Sequence, residues 1–152
     1  MNRRQILSGT SLLLAIPPAI AIADRLDEAS MQKAIHDYYS VYYRDRDKDR
    51  YRSLLASDYL LLENGTIMDA AADIALMPAV GDQYDRVDSF DFKDGWVTGE
   101  SAYQVYFLKS VITDATGTRN GHWLETVILR RSETKWLIAV LHSTKTAAPS
   151  SA

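Results

Sequence analysis

Residues 60–69 read LLLENGTIMD. The apolar run Tyr59 to Glu63 is too short for a helix of its own. It ends at Asn64-Gly65, a pair that tolerates positive φ and closes tight hairpins. Thr66 to Met68 should return as a short paired strand. Asp69 then supplies an N-cap for a helix over Ala70 to Met77, which Pro78 stops. The period of two puts Tyr59, Leu61 and Glu63 on one strand face. If that face lines a cavity, Glu63 is a carboxylate among apolar groups, with a raised pKa and the ability to take a proton near neutral pH. If it faces solvent, Glu63 is only the polar end of a strand.

Upstream, Met31, Ala34, Ile35, Tyr38 and Tyr42 recur at spacings of three and four, which predicts an amphipathic helix from Asp27 to about Arg44. Tyr39 and Tyr43 lie four apart on its flank. Each is either a phenol donor in a cavity or an amphipathic ring with a wet hydroxyl. The run RDRDKDR, residues 44–50, alternates in sign and reads as a solvated helix junction. A second helix is predicted over Lys48 to Ala56, capped by Asp47, with Asp58 closing it and opening the strand.

Downstream the character changes. Tyr84–Phe92, Trp96–Thr98, Tyr103–Thr113, His122–Arg131 and Trp136–Ser143 are rich in β-branched and aromatic residues, with turn signals at Asp94-Gly95 and Thr116-Gly117. This predicts a meander of long antiparallel strands. Helices followed by such a sheet make an α+β domain with the helices on one face. Trp123, Val127 and Leu129 alternate with Leu124 and Ile128, so both sheet faces are apolar. The helices cover only one face, and a second copy of the chain is expected on the other, as a homodimer.

The 152 residues are 47% hydrophobic and 24% charged, the composition of one globular domain. Residues 1–23 stand apart: Arg3-Arg4 with no acid, an apolar stretch over Leu12 to Ile22 and an Ala21-Ile22-Ala23 cleavage pattern predict an export signal. The twin arginines favour the twin-arginine route, with a periplasmic or secreted destination. Pro17-Pro18 breaks the apolar stretch, so stable membrane insertion is not expected. Without the two signal arginines the chain has 15 basic against 20 acidic side chains, a net charge of −5 that argues against nucleic acid as a partner. The absence of cysteine excludes disulfides and thiol catalysis. The domain is expected over residues 24–145, with a disordered tail from 146 to 152.

The segments YYSVYYRDRDKDRYRSLLASDYLLLENGTIMD and LETVILRRSETKWLIAVLHST resemble the nuclear transport factor 2-like superfamily, nearest its small SnoaL-like bacterial branch. The resemblance implies a cone: N-terminal helices packed in the concave face of a curved antiparallel sheet. That fold serves isomerases, dehydratases, polyketide cyclases and non-catalytic assembly modules. An ungapped match to its ketosteroid isomerases puts Tyr39 at the hydrogen-bond donor to the enolate and Glu63 at the base. The second acid of those enzymes falls at Thr126, a hydroxyl, and Glu125 is expected on the opposite face. Steroid isomerisation is therefore not implied, whereas a base and a phenol are.

A second constellation comes from the last hairpin. With Arg131 opposite Trp136, counting back sets Glu125 opposite His142. This is either an acid/base dyad or a structural cross-strand pair. His36 and His122 are read as rim residues. No metal-ligand spacing, Walker loop, GxGxxG or GxSxG is present, so no metal and no cofactor are expected. Two functions remain. One is a cofactor-free isomerase, dehydratase or lyase acting on a small apolar or aromatic molecule, with Glu63 and Tyr39 catalytic and Tyr43, Tyr59 and Thr126 shaping the cavity. The other is a non-catalytic ligand-binding or assembly module.

Overall fold

The computed structural model describes the backbone of residues 18–148, and side chains from Asp27 onward. The segment read as an export signal lies outside the described residues except for its last six, which begin the first helix. In order, the elements are α1 (Pro18–Tyr39), a π-helical segment (Ser40–Asp45), α2 (Lys48–Arg52), β1 (Leu55–Glu63), β2 (Thr66–Asp69), α3 (Ala70–Ala75), β3 (Tyr84–Thr98), β4 (Ser101–Asp114), β5 (Gly117–Ser132) and β6 (Lys135–Lys145). The sheet order is β2-β1-β6-β5-β4-β3, unclosed.

The apolar stripe of α1 does what its spacing demands. Met31, Ile35, Tyr38 and Tyr42 are buried, and they pack with Leu108, Val127, Leu129, Ile138 and Leu141 from the sheet. The helix does not stay α-helical to Arg44. It widens into a π turn, which is closed by Arg46 at φ 55 with its N–H donating to the Val41 carbonyl at 2.7 Å. Such single π turns favour irregular, functional stretches. Here the turn carries Tyr42 into the core beside Tyr43.

Several element boundaries differ from the sequence expectation. Asp47 does cap α2, accepting from the Arg50 N–H, but α2 ends at Arg52, because Leu55 and Ala56 are already taken up in β1. Asp58 therefore lies within the strand. Asp94-Gly95 does not separate two strands: β3 runs through it with a bulge between Phe92 and Gly95. Gln104 accounts for this. Its buried amide Nε2 donates to the Asp94 carbonyl at 3.0 Å, meeting an acceptor the ladder leaves free. A Cβ on residue 95 would stand 2.6 Å from the Gln104 Oε1, so any larger residue there would have to displace that amide. One pair is not antiparallel, since β1 lies parallel to β6, with Leu61 beside Leu141. Thr146, placed in the tail, is tied down by its N–H to the His122 carbonyl at 2.8 Å.

Candidate active site

Tyr59, Leu61 and Glu63 share the inward face of β1, as their alternation requires. Glu63 ends that strand where Asn64 (φ 51) and Gly65 (φ 75) turn the chain into β2. Its carboxyl is half-buried on the wall of a cavity of about 120 Å³ between the end of α1, the π turn and the sheet. Burial raises the Glu63 pKa, the nearby Asp73 raises it further, and Arg86 opposes both.

Tyr39, Tyr43, Glu125 and Ser143 line the same cavity. The Tyr39 hydroxyl donates to Glu125 Oε2 in a short hydrogen bond, and the Tyr106 hydroxyl stands 3.5 Å away. Ser143 Oγ donates to Glu125 Oε1 at 2.9 Å. Glu125 is 3% exposed, and burial pushes its carboxyl above the usual carboxylate range against the pull of these hydroxyls. Burial and the adjoining Glu125 hold the Tyr39 hydroxyl well above an ordinary tyrosine, so it remains a protonated donor.

The expected Glu125–His142 dyad is not formed. Arg131 does pair with Trp136, but a bulge between Ile128 and Leu129 shifts the register by one residue, with Ala139 the extra residue in β6. Glu125 therefore lies opposite Ser143, and Thr126 lies opposite His142 on the outer face. His142 is exposed, and it flanks a shallow groove with Leu62 and Thr144. The inward acid is Glu125, and Thr126 does not reach the cavity. Tyr59 is not on its wall either. It is core, with its hydroxyl donating to Asp73 Oδ2 at 2.8 Å and lying 2.6 Å from that of Tyr38.

Two charged residues of the site escaped the sequence reading. Asp73 of α3 is 3% exposed and gathers the hydroxyls of Tyr51, at 2.6 Å, and Tyr59. Its signal was indirect: several tyrosines on apolar stripes need a common acceptor once buried. Arg86 of β3 also lines the cavity. Its Nε donates to Asp88 at 2.7 Å, and its guanidinium carbon lies 3.9 Å over the Tyr43 ring. The inward alternation Tyr84, Arg86, Asp88, Phe90, Phe92 held that signal. His36 is exposed, as expected, and its ring stands edge-on to Phe90 at 4.4 Å.

Among the described residues, no cluster of three histidine or acidic side chains has the geometry to hold a metal ion. No described helix is long and apolar enough to cross a membrane. No family model matches the chain, and no curated protein matches it closely. Solved structures do match. The association domain of C. elegans CaMKII aligns with a TM-score of 0.67 at 10% identity, over 80% of this chain and 98% of that one. A ketosteroid isomerase-like protein from Erwinia carotovora atroseptica gives 0.62 at 17%, over 79% and 96%. An NTF2-like protein from Cytophaga hutchinsonii gives 0.62 at 11%, over 78% and 98%. At such identities the likeness lies in the fold.

Proposed function

With the nuclear transport factor 2-like fold as premise, we propose that the chain is a cofactor-free enzyme moving a proton on a small molecule held in the cone, as an isomerase, dehydratase or lyase does. One observation carries this reading: Glu63, with its raised pKa, shares a small cavity with the Tyr39–Glu125 pair. Glu63 is the base. An acid poised nearer neutrality than an ordinary carboxylate is matched to abstracting a proton next to a carbonyl. The developing enolate oxygen is met by Tyr39. When Glu125 carries its proton, it donates to the Tyr39 oxygen and frees the phenol O–H for the ligand. The two hydrogen bonds then polarise each other in a site of low dielectric.

The expected ligand was apolar or aromatic. The cavity wall includes three carboxyls and a guanidinium, so the ligand must also carry polar groups. The size of the cavity, about 120 Å³, argues for a molecule much smaller than a steroid.

The test is hydrogen–deuterium exchange next to the carbonyl of small ketones and keto acids in D2O, followed by proton NMR. Wild type should catalyse exchange, and Glu63→Gln should lower the rate by about 10² or more. An undiminished rate in the variant would remove Glu63 from the role of base.

A second reading is favoured by the outer sheet face, where Phe107, Leu124 and Ile128 are 45%, 38% and 43% exposed. On that reading the domain is a homodimeric module, consistent with the association role named for one structural neighbour. The two readings use opposite faces of one sheet, so they are compatible.

A further inference from the structure

Arg86 has more hydrogen-bonding capacity than the fold uses. Its side chain is 6% exposed, and of its five N–H donors only the Nε one is taken, by Asp88. Among the described residues no oxygen accepts from Nη1 or Nη2. The rings of Tyr43, Tyr39 and Trp123, at 3.9, 5.4 and 5.2 Å from the guanidinium carbon, hold its plane in place. No side-chain nitrogen among the described residues is both fully buried and unpartnered, so the outer guanidinium nitrogens reach accessible space, where a ligand can meet them.

The other groups on the cavity wall show which ligand that is. Glu125 is filled on both oxygens, by Tyr39 and Ser143, and Asp73 takes Tyr51 and Tyr59 on Oδ2. Glu63 makes no side-chain hydrogen bond among the described residues. It feels the charge of Arg86 without forming an ion pair with it. Among the charged groups of the wall, the outer nitrogens of Arg86 and the carboxyl of Glu63 thus have no side-chain partner: a fork of N–H donors and a carboxyl.

We propose that Arg86 recognises a carboxylate, and that the cavity takes a small monocarboxylic acid whose acid group pairs with Nη1 and Nη2 while its other end reaches Glu63. The proposal rests on the cavity being the ligand site and names the class of molecule that fills it. The planar fork of a guanidinium matches two carboxylate oxygens at once. An amine would place a second cation beside Arg86 and leave its donors unmet. A phosphate dianion would bring more negative charge into a cavity already walled by three carboxyls. The volume, below the roughly 150 Å³ void that takes up benzene, fits an acid of about three or four carbons.

The experiment is calorimetric titration of the full chain with 2-oxobutanoate, crotonate and propanoate. 2-Oxobutanamide, butylamine and inorganic phosphate are titrated in parallel. At least one acid should bind, with the amide about tenfold weaker or worse, and no response to butylamine or phosphate. Arg86→Gln should lose the acid while keeping its circular dichroism. Should that variant fail to fold, the acid-against-amide comparison on wild type decides. Binding of none of the three acids, equal binding of acid and amide, or tighter binding of butylamine or phosphate overturns the proposal. So does a folded Arg86→Gln with wild-type affinity. Arg86-dependent binding without any hydrogen–deuterium exchange would remove the proton-transfer reading and leave the recognition standing.

Discussion

Glu125 is a buried carboxyl with each oxygen filled by a hydroxyl, from Tyr39 and from Ser143. Burial still raises its pKa above the unfolded value of about 4.3. The folded chain then holds this proton more tightly than the unfolded chain. The resulting stability is complete below the unfolded pKa and is lost as pH rises through the folded one. Glutamine at 125 can still accept from Tyr39 and has no proton to lose. In urea denaturation between pH 4 and 8, the difference in stability between wild type and Glu125→Gln should therefore move in favour of the variant as pH rises. Asp73 and Glu63 are shifted in the same sense, so each parent curve retains a slope, and the difference curve isolates residue 125. A difference that does not change with pH would mean that Glu125 titrates in the folded chain as it does in the unfolded one.

At the scale of elements, the site depends on a loop held by one side chain. Arg46, in the left-handed conformation after the π turn, donates from Nη1 to the carbonyls of Ala79, at 2.6 Å, and Asp82, at 3.2 Å. Its Nη2 donates to the Tyr84 carbonyl. It thereby fixes the approach to β3, two residues before Arg86. Hydrogen bonds from a charged donor contribute about 1.5–3 kcal/mol each and are not additive. Arg46→Met should lower stability by roughly 2 kcal/mol, a fall of several degrees in Tm by calorimetry. A Tm within a degree of wild type would show that the loop stands without the clamp. The sign alternation of RDRDKDR pointed to a solvated junction and gave no hint of this. Periodicity and turn residues did make legible the stripe of α1, the Asn64-Gly65 hairpin, the cap at Asp69 and the strand face that Glu63 shares with Tyr59 and Leu61, though not which way that face points. The placing of Glu125 was not legible, because the bulge at Ala139 sits in WLIAVL, where every residue is apolar and no change of phase can be seen. Arg86 was missed because a charged residue on an inward strand face contradicts the usual pattern, and such local conflicts concentrate at functional sites.

For the whole molecule, the outer sheet face is the unresolved term. Phe107 pairs across strands with Leu124, and Tyr103 pairs with both Ile128 and Trp96, so these side chains form one continuous apolar surface over β3, β4 and β5. Trp96 is 53% exposed. Apolar continuity on this scale marks an interface more often than a solvated face. A two-fold dimer through it would present every residue twice, so a single charge introduced near the axis meets its own copy. Wild type at tens of micromolar should sediment as a dimer. Ile128→Lys, on the outer face and away from the cavity, should sediment as a monomer that keeps the fold and the ligand response of the cone. Tm should become concentration-dependent in the wild type alone, since only an associating chain gains stability by mass action. A wild type that stays monomeric at that concentration removes the homodimer reading. A monomeric Ile128→Lys that also loses ligand binding would instead mean that the two faces of the sheet are coupled, with association holding the curvature on which the cavity depends.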